Sequence, residues 1–218
     1  MTRSEMLKEL TDLLADTAGA DSDRLATNTR KLAYLSEGQE QFCEDTGFFM
    51  DATTFTIPTV AGTATYAVDN RVIKVMGVSI GGAELIHFQH VDRPSLFGDS
   101  PSVVEARPAY WQMDEQTDQL RVYPVPNEVY TLTLRAWRFP LTSIEEGADP
   151  ELPSTLQRAC IEWAAYKILN HHDAELRNKA KATEHYDAYQ MYVDRGIKHF
   201  RRRKGTQSFM GGPGIYTV

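Results

Sequence analysis

Hydrophobic and polar residues alternate with a period of two residues along the middle of the chain. In residues 129–137, one face of the alternation is formed by Tyr130, Leu132, Leu134 and Ala136, and the other by Val129, Thr131, Thr133, Arg135 and Trp137. Residues 119–123 alternate in the same way. This period is typical of a strand with one buried and one solvent-facing side. The stretch 53–140 is therefore predicted to be a meander of short antiparallel strands in a wide single-layer sheet.

Turn-forming residues separate the predicted strands. Residues 114–118 form a polar turn, and Pro124, Pro126 and Asn127 end one strand before the next begins. Gly81 and Gly82 follow the long β-branched stretch 71–80 and predict a tight hairpin before residues 83–87. Residues 90–104 show no period and are expected to form a loop.

Four segments with apolar residues at steps of three and four predict helices on both sides of the strands. They cover about residues 2–16, 29–45, 153–169 and 174–203. Ser4 is expected to cap the first helix, Gly47 to end the second and Pro153 to begin the third. The predicted fold class is α+β: a helical bundle of N- and C-terminal helices with an inserted antiparallel β-sheet region. Its predicted boundaries are 1–51 (N-terminal helices), 52–140 (β domain), 141–204 (C-terminal helices) and 205–218 (flexible tail).

The negative charge is concentrated in the first two thirds of the chain. Residues 1–150 hold 12 Lys and Arg against 23 Asp and Glu, a net charge of −11, whereas residues 151–218 hold 11 against 7, a net charge of +4. An acidic body argues against simple nucleic-acid binding, because that requires cations which displace the counterions of phosphate. Two interpretations remain, namely an ordinary solvated surface or a surface that DNA passes without sticking to it.

The composition excludes several classes of protein. The hydrophobic content of 42% and the charged content of 24% are those of a folded chain. No apolar run approaches the roughly 18–20 residues that span a bilayer, and the N-terminus lacks the apolar core of a signal peptide. We therefore expect synthesis in the cytoplasm and no membrane partner. Cys43 and Cys160 are expected to be buried thiols rather than a disulfide.

No set of residues has the spacing of a catalytic, cofactor or metal site. His87, His90 and Asp92 lie close together, but a spacing of three on a strand directs two side chains to opposite faces, and no further ligand follows at a recognisable interval. The phosphate-binding patterns GxxxxGK[ST] and GxGxxG and the nucleophile pattern GxSxG are absent. The sequence therefore predicts no enzyme activity, no cofactor and no bound metal.

The C-terminal segment combines a basic run with apolar residues in a glycine-rich stretch. The basic residues are Arg201, Arg202, Arg203 and Lys204, and the apolar ones are Phe209, Met210, Ile215 and Tyr216. The basic run suits a solvated helix end, an acidic protein surface or, last, DNA. The apolar residues suit a terminus that is frayed or folded onto its own core. They also suit a segment that becomes ordered in a partner's groove by adding a strand to a sheet.

The order of the elements, together with four local sequences, resembles the head-to-tail adaptor (connector) proteins of tailed bacteriophages. LAYLSEGQEQFCEDTGFF (32–49) resembles the helix that leads into the β-region of that family, and VAGTATYAV (60–68) resembles its Gly-Thr-x-x-Tyr strand opening. LRVYPVPNEVYTLTLRAWRFP (120–140) is similar to its hairpin around Tyr-Pro-x-Pro. ADPELPSTLQRACIEWAAYKIL (148–169) is similar to its Asp-x-x-x-(Ile/Leu)-Pro helix start. The resemblance covers nearly the whole chain.

The resemblance implies a structural protein of the virion neck. Such adaptors form a ring, usually of twelve copies, beneath the portal protein. They extend the DNA channel, through which DNA passes without specific binding, and they offer a docking face to the tail or to a nozzle or stopper protein. The C-terminal region typically grips the portal, so the candidate portal contacts are Phe200, Arg201, Arg202, Arg203, Lys204, Phe209, Met210, Ile215 and Tyr216. The candidate channel- or tail-facing residues are Asp114, Glu115 and Asp118.

Two other classes of function stay open on the sequence alone. One is a monomeric module, built on the β-region, that binds protein or carbohydrate. The other is a metal-dependent hydrolase that would use His87, His90 and Asp92.

Overall fold

The computed structural model describes residues 1–15, 25–88, 105–114, 118–170 and 178–203. Residues 200–203 are described by their backbone alone. The described chain contains four helices, α1 (Arg3–Leu13), α2 (Asn28–Thr46), α3 (Arg158–Leu169) and α4 (Lys179–Arg203). Its nine strands are β1 (Phe49–Asp51), β2 (Thr56–Pro58), β3 (Thr65–Ala67), β4 (Val72–Ile80), β5 (Ala83–Glu84), β6 (Ile86–His87), β7 (Tyr110–Met113), β8 (Gln119–Tyr123) and β9 (Thr131–Arg138). The predicted α+β class is confirmed, whereas the bundle arrangement of the helices stays a prediction. Two compact units are present, a helical unit (Met1–Phe48 with Pro140–Val218) and a β unit (Phe49–Phe139).

The cap of the first helix lies two residues before the predicted one. Thr2, not Ser4, is the N-cap: its side chain accepts a bond from the Glu5 N–H at 3.3 Å, and the Glu5 carboxylate accepts one from the Thr2 N–H at 2.7 Å. The prediction of Ser4 as the cap is wrong because only Thr2 has a glutamate three residues later, as a capping box requires. Ser4 lies inside α1.

Small residues set the distance between helices in the helical unit. Gly47 ends α2 in the left-handed conformation, with φ 58°, as predicted. At Gly38, in the middle of α2, an added Cβ would lie 3.0 Å from the Cα of Cys160 on α3. At Gly196 on α4, an added Cβ would lie 2.5 Å from the Phe42 ring. The backbone of α2 therefore approaches α3 closely, and the Phe42 ring lies against the backbone of α4.

The third helix begins later than predicted. Pro153 opens a turn, since its carbonyl accepts bonds from the N–H groups of Leu156 and Gln157 at 2.8 and 3.2 Å, but the α-helix itself starts at Arg158. The apolar face of α3 is buried, and an aromatic cluster forms between α3 and α4. Its ring centroids lie 5.0–6.3 Å apart, and its members are Trp163, Tyr166, Tyr186 and Tyr189.

The β unit contains two sheets, so the single-layer meander predicted from the sequence is wrong. In the first sheet β9 is central; β1 and β2 pair along one edge of it, β4 pairs along the other, and β5 pairs with the end of β4. The second sheet has the order β3, β8, β7, β6. In it β6 pairs with β7 in parallel.

The chain changes sheets at Leu85, inside a stretch that the sequence predicted as one strand. The Leu85 N–H donates to the Val78 carbonyl at 2.8 Å, which continues the predicted hairpin at Gly81 and Gly82. The next N–H, that of Ile86, donates to the Ala109 carbonyl at 2.9 Å in the second sheet. Leu85 is buried. The alternation of Leu85 with exposed neighbours gave no signal of the change, because the new partner, Ala109, is distant in sequence.

The alternation in β9 and β8 is confirmed. Leu132, Leu134 and Ala136 are each at most 1% exposed, and Leu120 and Val122 on β8 are buried to the same degree. These residues form the core of the β unit with aromatic side chains such as Trp111. The predicted loop at 90–104 lies outside the described residues.

An ion pair with little exposure joins β1 to β9, the first and last strands of the β unit. The Arg138 Nε donates to the Asp51 carboxylate at 3.2 Å, and the two side chains are 10% and 11% exposed. Asp51 also accepts bonds from the N–H groups of Thr53 and Thr54 and from the Thr54 hydroxyl at 2.6–2.9 Å. Burial opposes the charge of Asp51, but these hydrogen bonds and Arg138 outweigh it and lower the pKa to about 2.

Acid is therefore expected to weaken the β unit through Asp51. Its folded pKa of about 2 lies below the ordinary 3.8, so the stabilisation is complete above about pH 4 and is lost as the pH falls towards 2. The shift corresponds to about 2 kcal/mol. In urea unfolding, the loss of stability between pH 7 and pH 2.5 should be smaller in Asp51→Asn than in the wild type. Glu146→Gln, at an exposed position, is the control; an equal acid loss in all three proteins would contradict the assignment.

Candidate functional site

The β unit contains a cleft of about 750 Å³ whose lining residues come from both sheets. Its walls are mainly apolar, with two methionines, and polar groups lie among them. The lining residues are Val68, Asp69, Asn70, Val72, Ile73, Lys74, Val75, Met76, His87, Trp111, Met113 and Asp118. A cleft of this size is typical of a binding site, and methionine side chains adapt to different apolar partners.

The cleft runs along β4. Residues 72–76 line it without interruption, and the register shifts at Ile73 and Met76 break the regular alternation of side chains in this part of the strand. One edge of β4 pairs with β9, with the pairing interrupted at these two residues. On the other edge, β5 pairs only with Ser79 and Ile80. We call the uncovered part, residues 72–76, the open edge of β4.

The register of the first sheet shows which backbone groups face this open edge. The Leu134 N–H donates to the Phe55 carbonyl at 2.9 Å, on the side of β9 that lies away from β4. Alternate residues of an antiparallel strand direct their backbone groups to opposite edges, so Ala136 also points away from β4. Val75 is the register partner of Ala136. The N–H and C=O of Val75 consequently point away from β9, towards the open edge.

Two of the charged residues that line the cleft, Asp69 and Lys74, have partners of their own. The Asp69 carboxylate pairs with the Arg71 guanidinium at 2.8 Å, and hydrogen bonds from Arg71 lower the pKa of Asp69 to about 2. The Lys74 Nζ lies 5.7 Å from the ring centroid of Trp137 on β9, a cation–π distance. The Asp69 carboxylate and the Lys74 ammonium are therefore engaged by Arg71 and Trp137.

The residues considered as metal ligands do not form a described cluster. His87 is exposed on β6, and its ring centroid lies 4.4 Å from that of Trp111. His90 and Asp92 lie outside the described residues. Over the ranges that the structure describes, no group of three or more His, Cys, Asp or Glu could hold a metal ion. In the same ranges, no helix is both long and apolar enough to cross a membrane.

The predicted acidic loop connects β7 and β8. The Asp118 N–H donates to the Asp114 carbonyl at 3.0 Å, and Asp118 has a φ of 51°. Asp118 is exposed and lines the cleft. Glu115 lies outside the described residues. A backbone hydrogen bond therefore joins Asp118 to Asp114, and Asp118 lies at the cleft.

The predicted portal contacts begin on the last turn of α4. The backbone of residues 200–203 is helical, so Phe200, Arg201, Arg202 and Arg203 belong to α4. The other predicted contacts, Lys204, Phe209, Met210, Ile215 and Tyr216, lie outside the described residues.

Sequence reasoning missed the cleft and a polar network in the helical unit. In that network Glu162 on α3, which is 6% exposed, binds Arg158 and His185, and Arg158 also pairs with Glu9. The spacing of four between Arg158 and Glu162 was a visible signal for part of it. Nothing in the sequence signals the open edge of β4, because an edge is defined by a strand that does not pair.

Comparison with known proteins gives one match that spans both units. A family model described as "SU10 adaptor protein" matches residues 1–213. No curated protein sequence matches the chain significantly.

Proposed function

Because the chain belongs to the SU10 adaptor protein family, a family of phage head-to-tail adaptors, we propose that it forms a ring between the portal and the tail. We place this ring in the virion neck, with about twelve copies as in the adaptors that the sequence resembles. The observation that carries the proposal is the extent of the family match, residues 1–213, which includes the helices, both sheets and the start of the tail. The ring extends the DNA channel and docks the tail protein.

The charge distribution supports passage of DNA through the ring. Residues 1–150 carry a net charge of −11, and an acidic wall repels phosphate, so DNA moves along it without specific binding. Within this region we propose that the turn with Asp114, Glu115 and Asp118 faces the channel or the tail protein.

We propose that the end of α4 and the tail contact the portal. Residues 201–204 supply four consecutive basic side chains for an acidic surface. Phe209, Met210, Ile215 and Tyr216 supply apolar groups in a glycine-rich stretch, and such groups gain most when a partner's groove buries them.

Deletion of residues 205–218 is expected to weaken portal binding at least about tenfold, since four buried apolar side chains contribute well over the 1.4 kcal/mol that a tenfold change represents. Light scattering gives the mass of the protein alone and mixed with portal rings of the same genome. The wild type should join the portal in a fixed multiple near twelve, and a variant with a scrambled tail should behave like the deletion. Unchanged binding by the deletion variant would refute the tail contact.

Asp114→Lys with Asp118→Lys should leave portal binding intact and reduce binding of the tail protein.

A monomer that ignores the portal would instead favour the second candidate, a binding module built on the β unit. The cleft of about 750 Å³ is the observation that supports this alternative. The same light-scattering measurement therefore separates the two functions.

A further inference from the structure

We propose that Tyr166 and Tyr186 form a modification site, at which a one-electron oxidant such as the sulfate radical joins their two rings into a dityrosine cross-link. Tyr166 lies on α3 and Tyr186 on α4, so the new bond ties these two helices together covalently. The site lies within the aromatic cluster of the helical unit. It goes beyond the proposed function, and its chemistry does not depend on which partners the protein binds.

The separation of the two rings suits a direct bond between them. Their centroids lie 5.1 Å apart, and their planes are inclined by 50°. Two other tyrosine pairs are wider, with 6.3 Å between Tyr186 and Tyr189 and 6.4 Å between Tyr110 and Tyr123. Coupling needs contact between the ring carbons that flank the hydroxyl-bearing carbon. Small changes of side-chain rotamer bring rings at this distance into such contact, and exposed side chains make these changes within nanoseconds.

An oxidant in solution reaches the cluster at this pair. Tyr186 is 39% exposed and Tyr166 is half-buried, whereas Tyr189, the third tyrosine of the cluster, is fully buried. The hydroxyl of Tyr189 also donates a hydrogen bond to the Asp45 carboxylate at 2.6 Å. The tyrosines that a dissolved oxidant can reach are therefore the same two whose rings lie closest to each other in the cluster.

The reaction is balanced by the oxidant alone. Each phenol loses one electron to the oxidant and its O–H proton to water, which leaves a phenoxyl radical on each ring. The two radicals join through a carbon beside each oxygen-bearing carbon, and the hydrogen atoms on these two carbons then move to the oxygens and restore both phenols. One C–C bond is formed, two C–H bonds are lost, and the oxidant takes two electrons while two protons are released.

The cross-link is expected to stabilise the helical unit. It joins residues 166 and 186 and so closes a loop in the chain, which removes conformational freedom from the unfolded state in the way that a disulfide does. The two rings are already neighbours in the folded state, so the bond introduces little strain. We expect the urea midpoint of the cross-linked protein to rise by about 1 M.

The test is photo-oxidation of the full-length protein at low concentration. A ruthenium tris-bipyridyl complex with persulfate generates sulfate radicals during a brief flash of visible light, and dityrosine fluorescence reports the yield. Mass spectrometry of a tryptic digest then locates the bond. We expect the peptides 159–167 and 182–195 to appear as one linked species, with the sum of their masses less two hydrogen atoms. Fragmentation of this species should place the bond at Tyr166 and Tyr186.

Phenylalanine variants locate the site without loss of the aromatic rings. Tyr166→Phe and Tyr186→Phe should each lower the yield of the linked peptides at least about tenfold, because phenylalanine has no phenolic O–H to lose. Tyr192→Phe is the matched control, since Tyr192 lies on the same helix as Tyr186, is half-buried and stands outside the aromatic cluster. Its yield should equal that of the wild type. Equal urea midpoints before oxidation show that all three variants are folded.

Several outcomes would overturn the inference. They are the absence of dityrosine in the oxidised wild type, a bond between Tyr110 and Tyr123 instead, and covalent dimers in place of an internal link. An undiminished yield in Tyr186→Phe would also overturn it. None of these results bears on the ring proposed for the virion neck, which is tested separately by mixing the protein with portal rings.

Discussion

Replacing Glu162 with alanine should lower the free energy of unfolding by about 2–3 kcal/mol, the usual effect of removing a buried, charged hydrogen-bonding group from its partners. Glu162 is 6% exposed. One carboxylate oxygen accepts from the Arg158 Nε at 2.7 Å, and the other lies 2.6 Å from the His185 Nδ1. The substitution leaves Arg158 with one acidic partner, Glu9, and removes the carboxylate that His185 contacts.

Urea unfolding at neutral pH measures the loss. Glu184→Ala on α4 is the matched control, because Glu184 is exposed and the same atoms are removed there at a cost of about 0.5 kcal/mol or less. Glu162→Gln keeps the shape and two hydrogen-bonding atoms, so its loss should be smaller than that of the alanine variant. Equal stability of the Glu162→Ala and Glu184→Ala proteins would show that the network does not stabilise the helical unit.

Phe42→Ala should cost about 3–5 kcal/mol, because it opens a cavity in a fully buried position. The Phe42 ring lies against Gly196, where a Cβ would approach it to 2.5 Å. Gly196→Ala alone should therefore cost about 1–3 kcal/mol through overpacking. In the Phe42→Ala background the obstructing ring is gone, and the Thr46 Cγ2, 3.2 Å from the added Cβ, is the close atom that remains. There the added methyl should cost much less than in the wild type, because alanine favours helix over glycine by up to about 1 kcal/mol.

A double-mutant cycle on these two positions measures the coupling directly. The free energies of unfolding of the wild type, both single variants and the double variant are compared by urea denaturation. Met191→Ala provides a control for a large apolar residue on the same helix, since Met191 is 69% exposed. Strict additivity of Phe42→Ala and Gly196→Ala would mean that the ring and the α4 backbone do not limit each other.

Local patterns in the sequence predicted the features that local physics decides. The period of two placed Leu132, Leu134 and Ala136 on the buried face of β9, and Gly47 ended α2 because glycine adopts the left-handed conformation without strain. The cap of α1 was missed by two residues although Thr2 and Glu5 carry its signal, because Ser4 is also a good capping residue.

Features that depend on distant partners could not be predicted in the same way. The change of sheets at Leu85 is decided by two hydrogen bonds, one to Val78 and one from its neighbour Ile86 to Ala109. The open edge of β4 is decided by the end of β5 at Glu84. No spacing between residues encodes either. The proposed portal contacts came from composition and resemblance.

The pairing of β1 with β9 has a consequence for how such a protein can change over evolution. Phe49 is the register partner of Arg138, so the first and last strands of the β unit are neighbours and its two ends meet. A segment whose ends meet can be exchanged for a longer, shorter or unrelated one while the host chain keeps its path. The β unit thus has the form of a cassette. Its surface can change from one partner to another without any change in the length or order of the helices.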